Sequence, residues 1–122
     1  ECFVAENVDD YLGGIGQGVT IVAPGGVFVA TDPVHSYGGW LLAGIGPFGA
    51  FRFYAGASAE LCHDDDLRAG DRLRNFTYLG NVFFRFYQNL ELALEVSYWR
   101  TEYVQTRRGD AIRGQMALIF NF

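Results

Sequence analysis

NLELALEVSYWRTEYVQTRRGDAIRGQMALIFNF, residues 89–122, decides how the rest of the chain is read. Two runs alternate apolar and polar side chains around a charged turn. In the first run Leu90, Leu92, Leu94, Val96 and Tyr98 share one face, and Glu91, Ala93, Glu95, Ser97 and Trp99 share the other. In the second, Gly114, Met116, Leu118, Phe120 and Phe122 alternate with Arg113, Gln115, Ala117, Ile119 and Asn121. A period of two is the period of a strand, because successive side chains leave a pleated backbone on opposite sides. A soluble sheet turns such an apolar face into its core. A membrane barrel turns the apolar face to lipid and the polar one to the lumen.

The same period recurs upstream. Residues 73–87 (LRNFTYLGNVFFRFY) place Gly80, Val82, Phe84 and Phe86 on one face, with Asn81, Phe83, Arg85 and Tyr87 on the other, so Phe83 interrupts a polar face. Residues 50–62 (AFRFYAGASAELC) alternate Phe51, Phe53, Ala55, Ala57, Ala59 and Leu61 with Arg52, Tyr54, Gly56, Ser58, Glu60 and Cys62. Residues 37–46 (YGGWLLAGIG) and 1–8 (ECFVAENV) read as two further strands. That makes six spanning strands in one antiparallel up-and-down meander, a single all-β domain over residues 1–122. Between the first two lies a long Gly-rich loop, residues 9–36, in which GVTIV and VFVAT flank Pro24-Gly25-Gly26, a hairpin turn signal. Five residues are fewer than the ~9–11 a spanning strand needs, so the pair reads as a short hairpin in the loop. Counting it as two strands gives the alternative of eight. No segment of useful length shows a helical period.

Connections alternate in length: long (9–36), short (47–49), long (63–72), short (88–89) and intermediate (105–110). Outer-membrane barrels pair short periplasmic turns with longer outer loops in this way. The chain then ends on the short-turn side.

Composition excludes several classes. A net charge of −5 and a pI near 4.8 leave no basic patch for nucleic acid. No apolar run approaches the ~18 residues of a spanning helix. A mean hydropathy of +0.08 is uninformative for alternating strands, which average it out. Sixteen glycines and 16% aromatics suit close-packed strands with aromatic belts. Ser58 and Ser97 have no His-Asp partnership in sequence, and the Gly14-to-Gly18 string lacks a strand–helix context, so neither an enzyme nor a nucleotide site is expected. No cofactor is implied. His63, Asp64, Asp65, Asp66 and Asp71 form the one dense group of hard-cation ligands, but the Gly and terminal Glu of an EF-hand are missing, and a solvated acidic loop is expected there. Cys2 and Cys62 are placed at opposite rims one strand apart, too far for a disulfide.

The ending resembles the assembly signal of bacterial outer-membrane barrels, polar–x–small–x–x–aromatic–x–aromatic, here carried by Gln115, Ala117, Phe120 and Phe122. The family usually has Gly where this chain has Ala117. The segments YLGGIGQGV, HSYGGW, DDDLRAGDRLRN, GNVFFRFYQNLELALEVSYWRTEYV and GDAIRGQMALIFNF are similar to the C-terminal part of porin-like proteins. The resemblance implies a passive diffusion barrel in the bacterial outer membrane. Its partners would be outer-membrane lipid and the barrel-assembly machinery. Closed single-chain barrels have at least ~8 strands, so six imply missing N-terminal strands or a homo-oligomer.

On that reading Arg52, Glu60, Arg85, Glu91, Glu95 and Arg113 line the lumen, as pore-lining charges or as an ion-pair ladder that rigidifies it. Trp40, Phe76, Tyr78, Trp99 and Tyr103 would form an outer aromatic girdle, and Phe51, Phe86, Phe120 and Phe122 an inner one. Two alternatives remain at this level. One is a soluble antiparallel barrel binding a small apolar ligand, with the Leu90–Tyr98 face buried. The other is a small structural or adhesive membrane barrel with a plugged lumen.

Overall fold

The computed structural model describes residues 1–7, 15–16, 18–22 and 29–122. Among these residues the strands are β1 (Cys2–Glu6), β2 (Val19–Val22), β3 (Val29–Pro33), β4 (His35–Phe48), β5 (Phe51–Cys62), β6 (Arg72–Tyr87), β7 (Leu90–Tyr103) and β8 (Gly109–Phe120). Six of them form one antiparallel sheet in the order β1-β4-β5-β6-β7-β8, a meander that is all-β as the alternation predicts. A single 3₁₀ turn, Asp64–Asp66, interrupts the β5–β6 loop. The sheet is not closed: β1 and β8 are its two edges.

The register explains why the strands outrun their sequence signals. β4 begins at His35, because Ser36 pairs with Cys62 and Tyr37 with Leu61 before the apolar run starts. It also continues through Pro47 to Phe48, which pairs with Phe51, so the turn is shorter than residues 47–49. Gly49 sits at the tip with φ 61°, a left-handed backbone that glycine adopts without a Cβ clash. β8 begins at Gly109 rather than after the charged turn, since Asp110 pairs with Arg100 and Gly109 with Thr101.

Two expectations are corrected. β2 and β3 pair with each other and not with the main sheet, so the eight-strand count does not describe it. The Pro24-Gly25-Gly26 turn lies outside the described residues. Cys2 is not at the rim opposite Cys62. It pairs with Gly39 in the upper half of β4, on the opposite face from Cys62, because β1 pairs only with the loop-side half of that strand. The two cysteines form no disulfide with each other.

Among the described residues no apolar core lies under the sheet. Among the described residues the buried hydrophobics are Ile15, Val34 and Cys62, with Leu67 packed against them. This cluster sits at the loop-side end. There Asn7 donates its amide to the Val34 carbonyl (3.2 Å), and Val34 donates to Gly18 (2.9 Å). Arg72 donates to the carbonyls of Ile15 (2.8 Å) and Gly16 (3.2 Å), tying the long first loop to the start of β6.

Candidate functional site

Antiparallel pairing puts opposed residues on the same face, so the register sorts the sheet into two surfaces. On the polar surface Arg85 opposes Glu91, Arg52 opposes Phe83 and then Ala93, and Tyr54 opposes Asn81, Glu95 and Gln115 in one row. Nearer the loops, Ser58 opposes Thr77 and Trp99, and Glu60 opposes Asn75 and Thr101. Five of the six pore-lining candidates therefore engage one another or a shared neighbour.

Glu91 is the centre of this surface. It is 4% exposed and both its oxygens are taken. Oε1 accepts from Arg85 Nε at 2.6 Å, across one strand pair. Oε2 accepts from Arg52 at 2.5 Å, which reaches from β5 across β6 to β7. Phe83 occupies the space that Arg52 crosses: the guanidinium carbon lies 5.3 Å from its ring centroid, and Tyr54 meets the same ring edge-on at 5.4 Å. The aromatic that interrupts the polar alternation is thus the platform for the longest-reaching ion pair.

Glu95 is held by neutral donors, Gln115 Nε2 at 3.0 Å and Asn81 Nδ2 at 3.4 Å. Gln115 in turn accepts from Arg113 at 2.8 Å. These residues border an open depression of about 160 Å³ lined by Asn81, Phe83, Glu95 and Gln115. Glu60, also 4% exposed, lies on this surface further toward the loops, beside Phe3, Trp40 and Asn75.

The opposite surface carries no charged side chain over five successive rows. These run from Tyr78, Tyr98 and Ile112 through Val82, Leu94 and Met116 to Leu90 and Phe120. On β5 and β4 the same rows hold Phe51, Phe53, Ala55, Ala57, Leu41 and Ile45. Among the described residues these side chains stand open: Leu41 is 74% exposed, Val96 62% and Met116 74%. Charges return immediately above, where Arg100 pairs with Asp110 at 3.0 Å.

At the turn-side end rings gather on this surface. Phe51 stacks on Phe84 at 4.8 Å, Phe84 on Phe86 at 6.0 Å, and Phe120 on Phe122 at 6.2 Å. At the loop-side end Phe76 and Tyr78 are on the apolar surface, whereas Trp40 and Trp99 are on the polar one, opposite Ser58 and Thr77. Trp99 donates to Ser97 at 3.0 Å. Tyr103 closes β7 at its register partner Arg72. The four residues that resemble an assembly signal divide: Gln115 and Ala117 face the polar side, Phe120 the apolar one, and Phe122 lies beyond β8, fully exposed.

The acidic loop does not act as one group. Asp66 faces His35, Asp65 faces His63 at 3.8 Å, and among the described residues no three His, Cys, Asp or Glu side chains converge as metal ligands. The His35 clasp is a feature that sequence spacing does not reveal. His35 Nδ1 meets Asp66 at 2.8 Å, Nε2 meets Glu6 at 3.0 Å, and the His35 amide donates to Asp66 at 3.0 Å. It lies above the charged rim, outside the uncharged rows. The side-chain bond to Asp66, followed by the charge of Glu6, raises the His35 pKa above its ordinary 6.5. The His35 amide and then its ring hold the Asp66 carboxyl below 3.8.

No family model, curated protein or solved structure matches this chain.

Proposed function

We propose that this chain forms part of the wall of a bacterial outer-membrane β-barrel that passes small solutes passively, as porin-like proteins do. One observation carries the reading. The sheet exposes its Leu, Val, Met and Phe face, while the side chains buried in its strands are Ser36, Glu60, Thr77, Glu91 and Ser97 together with Cys62. This is the inverse of a soluble sheet, and it is the order a barrel wall needs between lipid and an aqueous lumen. A soluble ligand-binding barrel would bury the Leu90–Tyr98 face, and that face is open.

The dimensions agree. From Ile112 to Phe120 the uncharged surface of β8 runs ~27 Å along the strand, or ~20 Å in height at a tilt of ~40°. Outer-membrane barrels have an apolar band ~25 Å tall. An open edge in lipid leaves a row of unsatisfied amides and carbonyls, so β1 and β8 need further strands, from the same polypeptide or from other copies. The surrounding lipid and the barrel-assembly machinery are the partners this reading requires.

The test is reconstitution. The protein should need detergent for extraction and should give ohmic, solute-permeable channels in planar bilayers. Extraction into buffer without detergent would sink the reading. Membrane insertion without conductance would favour the plugged structural barrel instead.

A further inference from the structure

The Arg52–Glu91–Arg85 group is lopsided in what it presents. Glu91 has 5% of its side chain exposed, against 33% for Arg52 and 52% for Arg85. Both carboxylate oxygens are occupied, whereas each guanidinium has five N–H donors and uses only some of them on Glu91. Two arginines and one glutamate sum to +1, and the negative member is the hidden one. The remaining charges of the face are Glu95, Arg113, Glu60 and, at the loop-side end of β6, Arg72, which sum to zero and lie nearer the loops. Glu95 is four residues from Glu91 along β7, ~13 Å away.

We propose that the turn-side end of the polar face is an anion-binding step, taking small oxyanions such as carboxylates or phosphate on the free N–H edges of Arg52 and Arg85. The inference rests on the pore reading and gives that pore a sign. Guanidinium forks match the paired oxygens of such anions and bind them through charge-assisted hydrogen bonds. Glu91 holds the two forks in place and Phe83 supports one of them, so little ordering remains to be done when an anion arrives. A positive step at one mouth raises the local anion concentration and shifts permeability toward anions.

Two substitutions move the local charge in opposite directions, Glu91→Gln without a change of shape and Arg85→Gln with a shorter, neutral side chain. Arg85→Gln takes the group from +1 to 0, and Glu91→Gln takes it from +1 to +2. With the protein in planar bilayers under a potassium chloride gradient, the chloride-to-potassium permeability ratio should fall severalfold in the first and rise in the second. Millimolar inorganic phosphate should reduce chloride current in the wild type more than in Arg85→Gln. A ratio unchanged in both variants, or shifted the same way in both, overturns the anion step while the pore stands. Absence of any channel in the wild type overturns the pore reading and this inference with it.

Discussion

His35 joins three parts of the chain that are far apart in sequence, and its titration reports on that junction. Its pKa is raised, so the clasp contributes stability that is fully present below 6.5 and is lost as pH rises through the folded value. Asp66 is lowered, so its share is present above 3.8 and is lost as pH falls through its folded value. The loop-side rim is therefore tightest between those two limits. Following the imidazole resonances in detergent micelles should show His35 titrating above 6.5, and Asp66→Asn should bring it down toward that value. An unmoved titration would remove Asp66 as the main cause. Phe83 makes the complementary point. Read as a residue it is a flaw in a polar face; in the structure it supports Arg52 and abuts Tyr54. Phe83→Leu should cost ~1–2 kcal/mol through the lost cation–π and edge-to-face contacts, measured by urea unfolding from liposomes.

Among the strands, the two faces make opposite predictions for the same substitution. Met116→Arg, in the middle of the uncharged rows, should cost ~2–4 kcal/mol of folding free energy in a bilayer. Ala117→Arg, one residue on and on the polar side, should cost much less. Equal costs in urea titrations from liposomes would mean that the Met116 face does not meet lipid. The glycines show what alternation cannot tell. A Cβ on Gly44 would lie 2.5 Å from the Tyr54 ring, which covers β4 at that point, whereas one on Gly80 would meet nothing within 4 Å. Gly44→Ala should therefore cost ~1–3 kcal/mol as the Tyr54 ring is displaced. Gly80→Ala should be neutral or slightly stabilising in the same assay. Both positions are glycines in strands by sequence; only the neighbouring strand distinguishes them.

For the molecule as a whole, the two open edges of the sheet are β1 and β8. Every residue of β8 except Ile119 is exposed, and β1 covers only the loop-side half of β4. Phe122 lies past the last paired residue and stacks only with Phe120 among the ring contacts of the described residues. Its removal should leave strand content in detergent unchanged by circular dichroism. It should reduce incorporation into outer membranes severalfold in cells, measured by heat-modifiable mobility of the membrane fraction. Normal incorporation would deny the terminal aromatic the role that its resemblance to an assembly signal implies.

The strands, their two faces and the meander order were legible in the sequence, because alternation and short turns are local properties of the chain. So were the polar residues Arg52, Arg85, Glu91 and Glu95, which alternation alone places on one side. Register was not legible, since it depends on pairing between residues tens of positions apart. Register aligns the uncharged rows into one belt, carries Arg52 across β6 to Glu91, and keeps β2 and β3 out of the main sheet. It also moves Trp40 to the polar side and Cys2 to the opposite face from Cys62. The rim clasp of Glu6, His35 and Asp66 needed the fold for the same reason: three loop-end residues meet only after the strands that carry them have paired.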